Sequence, residues 1–137
     1  MCLNKKSVLA GLAAGAVVFV LSFAVEAVIQ AVMPYKWTEL GPIRDLKDPL
    51  MTAFWLHPFV IGLVASMVYQ RVGKRFHGNW FEKGKKLGLL MWFIVAVPET
   101  YMLYTSMNYP AGFYVSLVFG YFIYYTAAGL VVAKLSK

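Results

Sequence analysis

Apolar residues in this chain neither alternate nor keep to a narrow stripe; they run on in four long blocks separated by short polar stretches. The blocks predict helices over about residues 7–33, 49–69, 84–106 and 110–134. The stretch 87–106 supplies the roughly 20 mostly apolar residues that a helix needs to cross a bilayer, and the other blocks are read as three more spans. Punctuation agrees with these limits. Pro34 follows the first block, Asp48 and Pro49 open the second, and Asn108 and Pro110 precede the fourth. Asp and Asn are good N-caps, and proline suits the first helical turn. The pattern therefore predicts an all-α fold: a single transmembrane domain over 1–137, built as an integral membrane four-helix bundle.

Within the blocks the small residues are ordered. Gly11, Gly15, Ser22 and Glu26 fall on one face of the first helix, with Gly11 and Gly15 spaced as GxxxG. Gly84 and Gly88 repeat that spacing in the third, where Gly88, Trp92, Glu99 and Ser106 share a face. The fourth carries a stripe of Ser116, Gly120 and Ala127 and another of Tyr114, Tyr121 and Tyr125. Small residues let helix backbones approach in lipid, where hydrophobicity does not drive association. Gly11, Gly15, Gly84, Gly88 and Gly120 are thus read as helix-packing positions, with self-association as the alternative use of the same faces. A faint hairpin repeat is visible too. Gly62-Leu63-Val64 and Gly129-Leu130-Val131 stand late in the second and fourth blocks, and Lys5-Lys6 and Lys85-Lys86 stand before the first and third.

Composition strengthens the membrane reading. Only 14% of the 137 residues are charged and 61% are hydrophobic, whereas a soluble domain carries about a quarter charged residues. The charge of +7 is placed unevenly. Lys5, Lys6, Arg71, Lys74, Arg75, Lys83, Lys85, Lys86, Lys134 and Lys137, 10 of the 13 basic residues, fall on one side of the expected spans. On the other side Lys36, Arg44 and Lys47 are offset by Glu39, Asp45 and Asp48. The positive-inside rule then puts both termini and the central loop in the cytoplasm, with a bacterial or archaeal cytoplasmic membrane as the setting. The apolar run after Lys5-Lys6 continues to Met33 and reads as a retained span rather than a signal peptide. Tyr35 and Trp37 suit the interface belt on the outer side. Arg71, Lys74, Arg75, Lys85 and Lys86, interleaved with Phe76, Trp80 and Phe81, suit anionic lipid head groups as well as topology determination. The loop is too short for a nucleic-acid-binding fold, so no nucleic-acid partner is expected. The lone cysteine, Cys2, excludes an intramolecular disulfide and any CxxC motif.

Chemistry enters through three ionisable residues inside the blocks, Glu26, His57 and Glu99. Counted at the helical rise, Glu26 and His57 lie about 12 Å from the outer helix ends, and Glu99 about 14 Å. Tyr114 and Tyr121 bracket that level at about 6 and 16 Å. The five are expected to form one polar cluster in the outer half. A charge in hydrocarbon is costly, so these groups should face protein, water or an ion. Three uses stay open: a hydrogen-bonded structural cluster, a proton or cation pathway, or a divalent-metal site with two carboxylates and one imidazole. No ExxH or HExxH spacing, Walker loop, dinucleotide fingerprint or GxSxG elbow occurs. With one histidine in the blocks, a bis-histidine haem is not expected. No cofactor is expected beyond such a metal.

Lys83-Gly84, Gly88-Leu89-Leu90, Val97-Pro98, Pro110 and the closing Ala128-Gly129-Leu130-Val131-Val132-Ala133-Lys134 resemble a group of small, uncharacterised bacterial four-helix membrane proteins. That resemblance implies four helices with both ends inside and no particular activity. The functional expectation is an accessory, scaffold or complex subunit, homo-oligomeric or bound to other membrane subunits. A small ion, proton or metal transporter or channel is the alternative, and a membrane enzyme using Glu99 and His57 the third.

Overall fold

Asn4 starts the first helix in the computed structural model, which describes residues 4–36, 40–41 and 47–136. Cys2, Trp37, Glu39, Arg44, Asp45 and Lys137, named above, lie outside the described residues. Helix α1 covers Lys5–Val32, with the Asn4 side chain accepting from the Ser7 N–H at 2.8 Å. Its 28 residues end at Met33, next to Pro34.

The helix expected over 49–69 is in two pieces, α2 (Pro49–Phe54) and α3 (His57–Val72). Pro58 explains the break. Its ring has no N–H and collides with the carbonyl four residues earlier, that of Phe54, where α2 stops. Proline also disfavours helical geometry at the residue before it. The chain restarts with Phe59 and Val60 N–H groups donating to the Leu56 carbonyl at 3.0 and 3.1 Å.

Helix α4 (Trp80–Met91) begins four residues before the expected 84 because Asn79 caps it. The Asn79 side chain accepts from the Phe81 and Glu82 N–H groups, each at 3.0 Å, while Glu82 accepts from the Asn79 N–H at 3.1 Å. Gly78 precedes the cap with φ +109, and a Cβ there would lie 1.7 Å from the Glu82 carboxylate. Replacing Asn79 by Ala should lower stability by about 1 kcal/mol, read as a lower midpoint of thermal unfolding in detergent; an unchanged midpoint would mean that the cap contributes nothing.

After α4 a single π turn (Trp92–Ala96) leads directly into α5 (Val97–Ser106). The Val97 N–H reaches back to Trp92, five residues away. This widening accommodates Pro98, which again lacks a donor and crowds the preceding turn. A second π turn (Ser116–Gly120) joins α6 (Ala111–Val115) to α7 (Tyr121–Leu135). The Trp92 indole N–H donates to the Val118 carbonyl at 2.9 Å, tying the two π turns together.

The described residues are all-helical, with three stretches long and apolar enough to cross a membrane: Lys5–Val32, Trp80–Ser106 and Ala111–Leu135. Two antiparallel pairs, α1 with α3 and α4 with α7, form the tightest contacts, and α1 against α7 joins them. Each pair is closed by glycine in the same way. A Cβ on Gly62 would lie 2.1 Å from the Gly11 carbonyl and 2.5 Å from the Gly15 nitrogen. A Cβ on Gly129 would lie 2.4 Å from the Gly84 carbonyl and 3.0 Å from the Gly88 nitrogen. Backbone thus touches backbone in both pairs, the close approach that small residues permit. Rings also meet at each pair: Phe19 of α1 lies 6.2 Å from Phe59 of α3, and Trp92, just past α4, meets Phe122 of α7 edge-on at 5.6 Å.

Burial is concentrated at one end. Ala10, Ala14 and Val18 of α1, Ile61 and Ala65 of α3, Leu87 and Met91 of α4, and Ala128 and Val132 of α7 make the core. The buried Ser66 hydroxyl donates to the Ser7 carbonyl there at 2.7 Å. Toward the other end α1 has no buried residue after Val18, and α5 has none at all.

Candidate functional site

The polar groups at the end of the molecule away from Asn4 stand in two places. In the first, the α1 face that carries Gly11 and Gly15 deeper down ends in Glu26. One carboxylate oxygen accepts from the Tyr35 hydroxyl at 2.7 Å and from the Gln30 amide at 2.8 Å. The other accepts from the Ser116 hydroxyl at 2.9 Å, at the start of the second π turn. Gln30 also accepts from the Tyr35 N–H at 3.1 Å, so the chain leaving α1 is folded back onto its last turns. Tyr35 is 7% exposed, and its ring meets Phe113 of α6 edge-on at 6.1 Å. Burial and the bond to Glu26 push the Tyr35 phenol well above its ordinary pKa. It therefore remains a neutral donor throughout the physiological pH range. Three donors thus converge on one half-buried side chain, and bonds to a carboxyl group of this kind are among the stronger ones.

In the second place, Glu99 lies in the first turn of α5. It lies within electrostatic range of His57, Tyr121 and Tyr125. The His57 and Tyr121 rings stand 6.5 Å apart. Among the described residues nothing hydrogen-bonds the Glu99 carboxylate, and Glu99 is only half-buried while His57 is exposed. The neighbouring Thr100 hydroxyl is buried without a partner. The contrast with Glu26 is chemical: one carboxylate has its donors within the chain, while the other follows Pro98 and is half-buried without a hydrogen-bonding partner among the described residues. Tyr121 also packs on Tyr124 and Tyr125, and Tyr124 senses the Glu26 charge, so the tyrosines of α7 lie between the two places.

Tyr114 belongs to neither. Its hydroxyl donates to the Met107 carbonyl and accepts from the Tyr109 N–H at 3.1 Å, which fastens the turn between α5 and α6. Among the described residues no three His, Cys, Asp or Glu side chains come together as a metal site. Gly11, Gly15, Gly84 and Gly88 lie against Leu63, Phe59, Leu130 and Thr126. Gly120 differs, because the nearest atoms to a Cβ there belong to the Tyr124 ring at 3.4 Å.

The basic residues of the loop separate into different surroundings. Lys74 lines a cavity between the ends of four helices. Lys85 and Lys86 line another hollow with His77, where Lys86 donates to the His77 carbonyl at 2.9 Å and Lys85 sits 4.8 Å from the Phe81 ring centre. Arg71 and Arg75 stand in the last turn of α3 and in the short 3₁₀ turn Gly73–Arg75.

The partners of Glu26 were visible only in part. Gln30 is four residues along the same helix and so on the same face. Tyr35 looks like an interface residue, and Ser116 looks like one more small residue on a packing stripe. Nothing local ties either to Glu26. Comparisons with protein-family models, with curated proteins and with solved structures gave no match.

Proposed function

We propose that this chain is a non-enzymatic subunit of a membrane assembly, crossing a bacterial or archaeal cytoplasmic membrane four times with both termini inside. The start of α1, the turn after α3, the start of α4 and the end of α7 border one cavity, so they share one end of the molecule. That end carries most of the lysines, which favours the cytoplasm. Since α1 and α4 both start there, the segment between them has to return, and α2 with α3 is that returning path despite its break. The observation that carries the subunit reading is α5. It has no buried residue, yet it holds a carboxylate without hydrogen-bonding partners among the described residues. Hydrocarbon does not tolerate that arrangement, so another transmembrane helix, from a further copy or a different subunit, covers α5.

Met102 shares the Glu99 face, three residues on, and is 57% exposed. With Cys2 replaced by Ser, Met102→Cys labelled with benzophenone maleimide should, on irradiation in native membranes, insert into a C–H bond of a neighbouring chain, and the mass of the product identifies that chain. Complete labelling of that cysteine by a lipid-soluble maleimide, with no cross-link, would leave α5 facing lipid and end the proposal.

A second reading rests on a separate observation, the proximity of His57, Glu99 and Tyr121. Carboxylates and histidine are relay groups in membrane transport. Proton or cation uptake into proteoliposomes, present in the parent chain and abolished in Glu99→Gln, would favour it. Equal uptake by the two would remove it.

A further inference from the structure

Four helix ends converge on an open cavity of about 670 Å³ whose wall is rich in donors and, among the described residues, holds no carboxylate. Lys6, Gln70, Lys74 and Lys83 line it together with Asn4 and Asn79, the caps of α1 and α4. Each cap uses its side-chain oxygen to accept from its own helix, at 2.8 Å for Asn4 and 3.0 Å for Asn79. The amide NH₂ groups, which can only donate, are what the caps can offer outward. Both helices also turn their positive ends this way, which adds to the lysine charge. The nearest acid in sequence, Glu82, is held by the Asn79 N–H in the capping box and does not border the cavity. Lys74 and Lys83 form no ion pair among the described residues.

Lys74 and Lys83, from two different helix ends, concentrate positive charge on one hollow that the two asparagine amides also border. We infer that this cavity binds a phosphate group, with Lys74 and Lys83 as its charge partners and the Asn4 and Asn79 amides as neutral donors. Ammonium groups bind phosphate as point charges, and the amides fix orientation. Two sources carry the same chemistry: an anionic lipid head group of the inner leaflet and a soluble phosphate or pyrophosphate. The lipid source rests on the topology proposed above, and the soluble one does not.

The full chain in neutral detergent would be titrated separately with short-chain phosphatidic acid, short-chain phosphatidylcholine and inorganic pyrophosphate, with its unfolding temperature as the readout. Saturable stabilisation by phosphatidic acid is expected, with none from phosphatidylcholine. Lys74→Gln combined with Lys83→Gln should weaken it by about tenfold or more, since each lysine near an anionic head group counts for about fivefold. Lys85→Gln combined with Lys86→Gln, on the other hollow, should change it by less than about twofold. Binding of phosphatidic acid alone identifies the head group as the source, and lysine-dependent binding of pyrophosphate identifies a soluble phosphate. Equal losses in the two double variants would reduce the effect to diffuse surface charge and overturn the site. Absence of saturation by either anion would overturn it as well, whatever the topology of the chain.

Discussion

Gly62→Ala should destabilise this protein by about 3 kcal/mol, the upper part of the range for overpacking. The added methyl would sit 2.1 Å from the Gly11 carbonyl oxygen and 2.5 Å from the Gly15 nitrogen, and both are backbone. A side chain can rotate away from such a contact; two helices have to separate. Separation would also loosen Ile61 and Ala65 against Ala14 and Val18, because these residues pack in the same layer. Gly129→Ala should behave alike, with the Gly84 carbonyl 2.4 Å from the new atom. Gly120→Ala is the contrasting case. Its methyl would meet the Tyr124 ring at 3.4 Å, an ordinary contact. In a helix, Ala is favoured over Gly by about 0.5–1 kcal/mol, so this variant should be neutral or slightly stabilised. Unfolding in mixed micelles followed by helical circular dichroism measures all three. Equal behaviour of Gly62→Ala and Gly120→Ala would show that the glycine contact does not hold the α1–α3 pair.

Glu26→Ala should cost about 2 kcal/mol. It removes the acceptor for Tyr35, Gln30 and Ser116 together, and a donor left without an acceptor in a half-buried site retains its desolvation penalty. Glu26→Gln should be milder, since the amide keeps one oxygen acceptor. Ser116→Ala alone should cost about 1 kcal/mol. Because the two residues bond each other across 90 positions of sequence, their double variant should be less damaging than the sum by roughly 0.5–1 kcal/mol. Strict additivity would mean that the second π turn is positioned without Glu26.

The two carboxylates show how far the sequence can be read. The cost of a charge in hydrocarbon makes Glu26 and Glu99 conspicuous in any apolar block, and counting residues gives their depth. Depth says nothing about rotation about the helix axis. A π turn lies between Gly88 and Glu99 and adds a residue to one turn, so a face projected at 100° per residue is offset beyond it. Pro98 could have signalled that widening, but the second π turn has no proline and left no local mark. Pro58 carried enough information to place a break at Phe54, through its clash with that carbonyl. The capping pattern Asn79-Trp80-Phe81-Glu82 likewise marks the start of α4, although basic residues immediately after it suggest a loop. The spacing of Gly11 and Gly15 says that a second backbone comes close without saying which. That information lies in Gly62, 47 positions beyond Gly15. The apolar blocks are legible because bilayer thickness sets a length that composition alone can meet. Tyr35 and Ser116 are not, because their bonds to Glu26 depend on how the end of α1 meets the start of the last helical stretch.

The exposed Glu99 face leads to the most direct test. The chain alone has a mass of 15.4 kDa. Its particle should be extracted from native membranes in a bilayer-retaining polymer, without detergent, and weighed by native mass spectrometry. A covered α5 predicts a particle containing at least one further transmembrane chain, lost or weakened in Met102→Trp, which would overfill the contact on the Glu99 face. A single 15.4 kDa chain with bound lipid as the sole species, in parent and variant alike, would contradict the account.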